Sequence, residues 1–313
     1  MVLTAKENQT IKKIVYMGTP HYARAILQTL IDDEKIDVTL VLTQPDRPVG
    51  RKKELKAPEV KLLALEHDIK ILQPERLSDE GIYEAIADAK PDYIVVAAFG
   101  QLLPKSILDI APCINLHASL LPHYRGASPV QQSLLHGDEF TGVTAMLMEE
   151  GLDSGPILGY RYFKIPSTML LPELMNRLSD DACVLTTEII HKFETLAPLE
   201  QIRAEATHCK KIKKTDGLVN FDSALVLYDK YRAFSGWPGV FVEDGTKLLE
   251  IQLIESSSQN GRGEILVLRD ESVVIGCLEG SLEIKTLQPA SKKEMSAKAY
   301  CVGRGLKVGH TLF

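Results

Sequence analysis

Apolar and polar positions along the first two thirds of the chain follow two periods. Residues 14–17 are an unbroken apolar run, Gly18-Thr19-Pro20 follows, and then Ala23, Ile26, Leu27 and Leu30 recur at three- and four-residue spacing. The run predicts a strand and the spacing predicts an amphipathic helix, which turns once in about 3.6 residues. The succession returns with a strand at 38–43, a helix at 59–67, a short strand at 70–72 and a strongly apolar strand at 93–98. Such alternation predicts an α/β unit, a mostly parallel sheet covered by helices, with ligands at the carboxyl ends of the strands. After a helix ending near Phe193 the period is lost through 194–215. Short β-rich segments then follow at 240–242, 247–253, 263–268, 272–277 and 281–287, separated by Gly, Asp or Asn. That spacing predicts a second, small β-barrel domain, for which the five-stranded oligonucleotide-binding (OB) type is one candidate. The expected boundaries are 1–197 for the first domain, 198–213 for a linker and 214–313 for the second.

Composition narrows the classes of function more than it names one. With 45% hydrophobic and 25% charged residues the chain reads as globular, and 313 residues exceed what one core usually serves. The five cysteines are scattered without a C-x-x-C pair, and His123 and His136 lack paired ligands, so neither a disulfide framework nor a metal is expected. The apolar runs are far shorter than the roughly 20 residues of a membrane span. Residues 1–13 lack an apolar leader, so a cytoplasmic protein without membrane attachment is the expectation. The net charge of −6 argues against non-specific coating of nucleic acid. The deficit falls on residues 1–204, however, while 205–313 carries 15 basic against 14 acidic residues. Any contact with a polyanion must come from local basic clusters.

The richest stretch runs from 113 to 158. On the strand predicted at 114–117, Asn115 and His117 are two apart and project from one face. A further strand at 142–148 leads to a glycine-rich loop holding Asp153. This set suits acyl transfer to an amine: Asn115 and His117 would stabilise the tetrahedral oxyanion, and Asp153, if it reaches the imidazole, would fix its tautomer and help relay the proton. Taken singly, a strand histidine is more often structural and an Asp among glycines more often a turn former. Gly18-Thr19-Pro20 carries no G-x-G-x-x-G, which argues against a nicotinamide enzyme and for a structural turn with Pro20 opening a helix. Trp237, with Pro238 and Gly239, reads as a buried anchor of the second domain in preference to a platform for stacking bases.

Asn115-x-His117, Ser119-Leu120-Leu121-Pro122, Tyr124-Arg125-Gly126-Ala127, Thr141-Gly142-Val143-Thr144 and Gly151-Leu152-Asp153-x-Gly155 together resemble the signature of 10-formyltetrahydrofolate-dependent transferases and hydrolases. Met17-Gly18-Thr19-Pro20, Thr43-Gln44-Pro45-Asp46-Arg47-Pro48, Arg232-Ala233-Phe234, Trp237-Pro238-Gly239 and Leu287-Gln288-Pro289-Ala290 are similar to the methionyl-tRNA formyltransferases in particular. The likeness runs from about Lys13 to Leu312. It implies a Rossmann-like catalytic domain, Asn115, His117 and Asp153 as the catalytic set, and 10-formyltetrahydrofolate as formyl donor. It further implies that the folate is bound by Ser119, Leu120, Leu121 and Pro122, with Phe99, Gly100, Leu102, Met148 and Gly151 about the pterin. The implied acceptor is the methionine amino group of initiator methionyl-tRNA, in translation initiation, and the implied state is a monomer. Formylation of a nucleotide-linked amino sugar is the neighbouring alternative within the same chemistry. The chain departs from the pattern at His21-Tyr22, at Lys52-Lys53-Glu54 and at His208-Cys209-Lys210-Lys211.

Residues 46–58 carry Arg47, Arg51, Lys52, Lys53 and Lys56 among prolines and a glycine, which reads as an exposed, mobile, solvated loop. The resemblance makes it a tRNA contact instead, with Arg51 the matched basic residue and Arg47, Lys52 and Lys53 beside it. Lys210, Lys211, Lys213 and Lys214 at the domain junction, and Lys292 with Lys293, read as solvated faces by themselves, and the resemblance implies that they position phosphates without reading bases.

Overall fold

The structure is a computed structural model that describes residues 11–49 and 53–313. It divides into two compact units. The first takes in the chain up to Pro129, Phe140–Phe163 and Met175–Cys209, and the second takes in Val130–Glu139, Lys164–Leu174 and Lys210–Phe313.

The first unit begins with β1 (Lys12–Gly18), α1 (His21–Ile31) and β2 (Ile36–Leu42), a β-α-β succession. The four apolar positions that predict the helix are all buried on α1. Gly18 lets α1 come down close to the strands, because a Cβ there would lie 2.6 Å from that of Ala23 and 3.0 Å from the Ala97 carbonyl. A two-stranded hairpin follows, β3 (Arg47–Val49) with β4 (Glu54–Lys56), then α2 (Glu59–Glu66), β5 (Ile71–Leu72), α3 (Ile82–Asp88) and β6 (Tyr93–Ala97). Within the stretch expected as a loop at 46–58, the described residues thus include two paired strands. The base of this hairpin is tied down at Asp46, which accepts from Lys61 Nζ at 2.9 Å and from Gln73 Nε2 at 2.8 Å. Gly50, Arg51 and Lys52 lie outside the described residues.

Next come α4 (Lys105–Leu108), β7 (Cys113–His117), β8 (Arg125–Gly126), α5 (Pro129–Leu135), β9 (Phe140–Leu147), β10 (Ile157–Lys164), α6 (Leu171–Lys192) and β11 (His208–Cys209). The main sheet has the order β10-β9-β7-β6-β1-β2-β5, parallel from β5 to β7, with β9 antiparallel to β7. This is the Rossmann-like α/β arrangement expected. The order reverses at β1, where the chain leaves toward β2 and β5 and later returns to β6 on the other side, and ligands of such sheets bind at the carboxyl ends near that reversal. One core face is a cluster of Val15, Met17, Leu40, Leu42, Ile94 and Val96 from the strands, with Phe99, Leu103 and Ile107 from the segment after β6. Each fully buried side chain of this size stabilises the fold by about 1.5–3 kcal/mol. The short α3 and α4 are not legible in the sequence because neither is long enough to establish a helical period.

The second unit adds α7 (Ala224–Ala233), capped by Ser223, then β12 (Val240–Phe241), β13 (Lys247–Glu255), β14 (Ile265–Leu268), β15 (Val273–Gly276), β16 (Ser281–Gln288), β17 (Met295–Ser296) and α8 (Ala297–Gly303), capped by Ser296. Its sheet is antiparallel in the order β12-β13-β16-β15-β14, with β17 added beside β16. The strands coincide with the five β-rich segments of the sequence to within two residues. Trp237 corrects an expectation: it is 58% exposed and is no buried anchor. Phe234, at the end of α7, is buried in its stead at 1%.

Candidate active site

The site is built at the carboxyl end of β7. Asn115 and His117 pair across to Met146 and Thr144 of β9, and residues directly opposite on antiparallel strands share a face. Both are buried, at 8% and 6% exposure, so their polar atoms must be satisfied locally. From underneath, Tyr22 of α1 donates its hydroxyl to the Leu116 carbonyl at 3.2 Å.

The turn after β7 is held by a polar knot. Ser119 Oγ donates to the His123 carbonyl at 2.6 Å, Thr144 Oγ1 donates to the Ser119 carbonyl at 2.7 Å, and Leu121 N donates back to Thr144 Oγ1 at 3.1 Å. Beyond the turn, Tyr124 has φ 59 and Gly126 has φ 120. Left-handed backbone at a bulky residue costs on the order of 1 kcal/mol or more and is found where the surroundings impose it. Here the imposed feature is the Tyr124 carbonyl, which lies 3.0 Å from His117 Nε2. A carbonyl only accepts, so Nε2 carries the hydrogen and Nδ1 is the opposite edge of the ring.

Asp153 enters from the loop after β9, itself left-handed with φ 49. Its Oδ1 accepts from Asn115 Nδ2 at 3.3 Å and its Oδ2 accepts from Gly126 N at 2.8 Å. His117 Nδ1 stands 3.7 Å from the same Oδ2, an ion-pair distance beyond hydrogen-bond reach. The three predicted residues thus converge, with one correction: the imidazole is oriented by the Tyr124 carbonyl, while Asp153 faces the other edge of the ring.

Sequence reasoning missed the residue that fixes this loop. Gln201 donates through Nε2 to the carbonyls of Asp153 at 3.0 Å and Gly155 at 2.7 Å, and its Oε1 accepts from Arg125 Nη2 at 2.7 Å and Nε at 3.1 Å. It sits in the aperiodic stretch 194–215, where nothing in the sequence distinguishes it. Cys209, where the chain departs from the family pattern, lies against the same turn: its backbone carbonyl accepts from Ala127 N at 3.2 Å, and burial raises its thiol pKa.

The expected folate residues fall into two groups. Ser119, Leu120, Leu121 and Pro122 form the turn just described, with Leu120 lying over Gly142, where a Cβ would meet it at 2.9 Å. Phe99 is in the core, and Met148 packs against the cluster that holds Phe99 and Leu103. Leu102 and Leu152 stand 72% and 49% exposed, and the backbone turns at Ala98 (φ 45) and Gly100 (φ 87). Exposed apolar side chains beside accessible backbone suit a flat heterocycle carrying hydrogen-bonding edges, so these residues fit a pterin. Gly151 is exposed in the loop that follows Met148.

The expected basic residues are exposed: Lys53, Lys210, Lys211, Lys213, Lys214, Lys292 and Lys293. Arg47 is engaged with Glu75 at 3.0 Å. A cleft of about 920 Å³ in the second unit, lined by His136, Lys164, Tyr228 and Arg232 among others, contains none of the candidate residues. Arg232 there is consumed by structure, donating to Asp229 Oδ1 at 2.9 Å and to the carbonyls of Met169 and Pro166. Among the described residues no cluster of three metal-ligating side chains occurs, and no helix is long and apolar enough to cross a membrane.

Comparison with known proteins places the whole. Residues 12–189 match the family described as formyl transferase, and residues 211–305 match the formyl transferase C-terminal domain. A methionyl-tRNA formyltransferase of Sulfurovum sp. is 63% identical over 96% of this chain and 99% of its own. That of Nitratiruptor sp. is 52% identical over 96% and 100%. Among solved structures, the sugar 3N-formyl transferase WlaRD, determined with dTDP and 5-N-formyl-THF, superimposes with a TM-score of 0.66 at 17% identity, covering 90% of this chain and 99% of its own. HypX from Aquifex aeolicus in complex with tetrahydrofolic acid gives 0.60 at 18% identity over 95% of this chain and 48% of its own. These two share the fold; the much higher identities set the kinship, and the chain belongs to the formyl transferase family, within its methionyl-tRNA formyltransferase branch.

Proposed function

We propose that this protein transfers the formyl group of 10-formyltetrahydrofolate to the α-amino group of methionine on initiator methionyl-tRNA. The observation that carries the reading is the convergence of Asn115, His117 and Asp153 in one buried site, in a chain 63% identical over almost its whole length to a methionyl-tRNA formyltransferase.

The chemistry follows from the hydrogen-bond directions. With Nε2–H committed to Tyr124, the neutral imidazole presents a lone pair at Nδ1, on the side where Asp153 lies. As the methionine nitrogen bonds to the formyl carbon, the carbonyl electron pair moves to oxygen and the nitrogen must lose a proton. His117 Nδ1 accepts it, and the Asp153 carboxylate 3.7 Å away stabilises the resulting imidazolium. Asn115 uses one amide hydrogen on Asp153 and keeps the other for the developing oxyanion. When the bond to the folate nitrogen breaks, the proton held at Nδ1 goes to that nitrogen. Ser119, Leu120, Leu121, Pro122, Phe99, Gly100, Leu102, Met148 and Gly151 hold the donor beside these groups.

Residues 1–197 carry catalysis in this reading, 198–213 link, and 214–313 bind tRNA. Arg47, Arg51, Lys52, Lys53, Lys210, Lys211, Lys213, Lys214, Lys292 and Lys293 supply the phosphate contacts, and the enzyme works as a cytoplasmic monomer. The test is transfer of labelled formyl from 10-formyltetrahydrofolate to initiator methionyl-tRNA, run beside elongator methionyl-tRNA and beside His117→Ala. Activity on the initiator alone, lost in the variant, supports the assignment; inactivity on both tRNAs with a competent donor refutes it.

A further inference from the structure

The single tryptophan of the chain, Trp237, is exposed against the energetics of its own side chain. An indole offers the largest apolar surface a residue can bury, yet 58% of Trp237 faces solvent, and among the described residues it has neither a ring partner nor a hydrogen bond from the indole. Its backbone, in contrast, is fixed. Gly236 (φ 92) and Gly239 (φ 75) bracket it in left-handed conformations open to glycine, and Gly239 N donates to the Phe234 carbonyl at 3.0 Å, closing the turn after α7. On the other side the segment abuts Gly217, where a Cβ would lie 3.2 Å from Pro238 Cγ, and Val219 N donates to the Phe241 carbonyl at 2.9 Å.

The turn that ends at Gly217 is cationic. It is closed by Asp216 Oδ2, which accepts from Lys213 N at 2.7 Å, and it carries Lys213 and Lys214 at its start. Both lysines are exposed, and neither ammonium has an acidic partner among the described residues. Lys230 adds a third positive charge close by, donating to the Leu218 carbonyl at 3.0 Å.

An exposed π-surface on a fixed backbone turn, with free cations on the abutting turn, is complementary to a nucleotide, whose base has a flat face and whose phosphate is an anion. An apolar protein partner would have to desolvate those lysines without pairing them. We propose that Trp237 is a stacking platform for an unpaired nucleotide of the tRNA, with Lys213 and Lys214 on the adjoining phosphates. This rests on the tRNA reading given above.

Because the chain has one tryptophan, its fluorescence reports this contact directly. The full-length protein is titrated with initiator tRNA while emission and iodide quenching are followed, association being measured separately by anisotropy of labelled tRNA. The expected result is saturable quenching with loss of iodide access. Trp237→Ala raises KM for charged tRNA by about tenfold, the scale of one base stack, leaves KM for the formyl donor unchanged, and is largely rescued by Trp237→Phe. The proposal is overturned if tRNA associates without changing the emission, if heparin quenches as tRNA does, or if the Ala variant keeps its KM for tRNA. A wild-type protein that formylates no tRNA overturns the function reading and this one with it.

Discussion

In the proposed mechanism His117 and Asn115 do different work although they share a face, and substitutions separate the two roles. Removing the proton acceptor with His117→Ala is expected to lower kcat by roughly 10²–10⁴-fold, the span of general-base contributions. Asn115→Ala, which removes an oxyanion donor and one hydrogen bond to Asp153, is expected to cost roughly 10²–10³-fold. Steady-state kinetics decide this, with KM for both substrates expected to change by less than about threefold; a loss confined to KM contradicts the roles assigned. The cysteines supply a control on the fold. Burial pushes the thiols of Cys113 and Cys277 up to about 12, so both remain protonated near neutral pH. A thiol reagent should therefore label neither in the native protein and both after denaturation, which peptide mapping reads out.

At the scale of elements, the site depends on side chains that bind loops together. Gln201→Leu strips the Arg125 guanidinium, 7% exposed, of its side-chain partner and releases the Asp153 and Gly155 carbonyls. A loss of about 1–3 kcal/mol in stability is expected, visible as a lower Tm, together with a fall in kcat. Gln201→Glu keeps the acceptor for Arg125 while losing the donors, so it should recover stability more than activity. Gly126→Ala has no such latitude, because its φ is 120 and a Cβ would collide with the Cys209 carbonyl.

The base of the β3–β4 hairpin is expected to act as an acid-sensitive latch. Hydrogen bonds from Gln73 and Lys61 hold the Asp46 carboxyl below its ordinary value. A depressed folded-state pKa stabilises above the unfolded value and is lost as pH falls through the folded one. Hydrogen exchange in residues 53–56 should rise as pH drops below the carboxylate range, once corrected for intrinsic rates. Lys61→Met should produce the same rise at neutral pH, and a hairpin indifferent to Lys61 would contradict the latch.

For the whole molecule, a net charge of −6 has to be reconciled with a polyanionic substrate. In the proposed reading, exposed lysines concentrated at 210–214 and 292–293 achieve this locally, since screening over about 8–10 Å confines each cluster's field to its neighbourhood. Each lysine that neutralises a phosphate adds about 0.7–0.9 to the slope of log K against log salt. Lys292→Ala with Lys293→Ala should therefore flatten that slope by about 1.4–1.8, measured by tRNA binding across a salt series, while leaving formyl-donor affinity untouched. An unchanged slope would remove these two residues from the interface.

Much of this protein is legible in the order of its residues, and for a definable reason. The β1–α1–β2 succession, the strand bearing Asn115 and His117, and the five β-rich segments of the second unit rest on continuous apolar runs or periodic burial, which are written locally in the chain. The candidate trio of Asn115, His117 and Asp153 is legible from chemistry and resemblance, but its connectivity is not. That the Tyr124 carbonyl orients His117, that Gln201 ties Arg125 to the Asp153 loop, and that Trp237 faces solvent depend on left-handed turns and on hydrogen bonds between residues as many as 76 positions apart. Local sequence determines which face of an element seeks the core, because that preference is summed over neighbouring residues. Only the tertiary structure decides which polar groups meet, because each such meeting is settled by the packing of the segments that carry it.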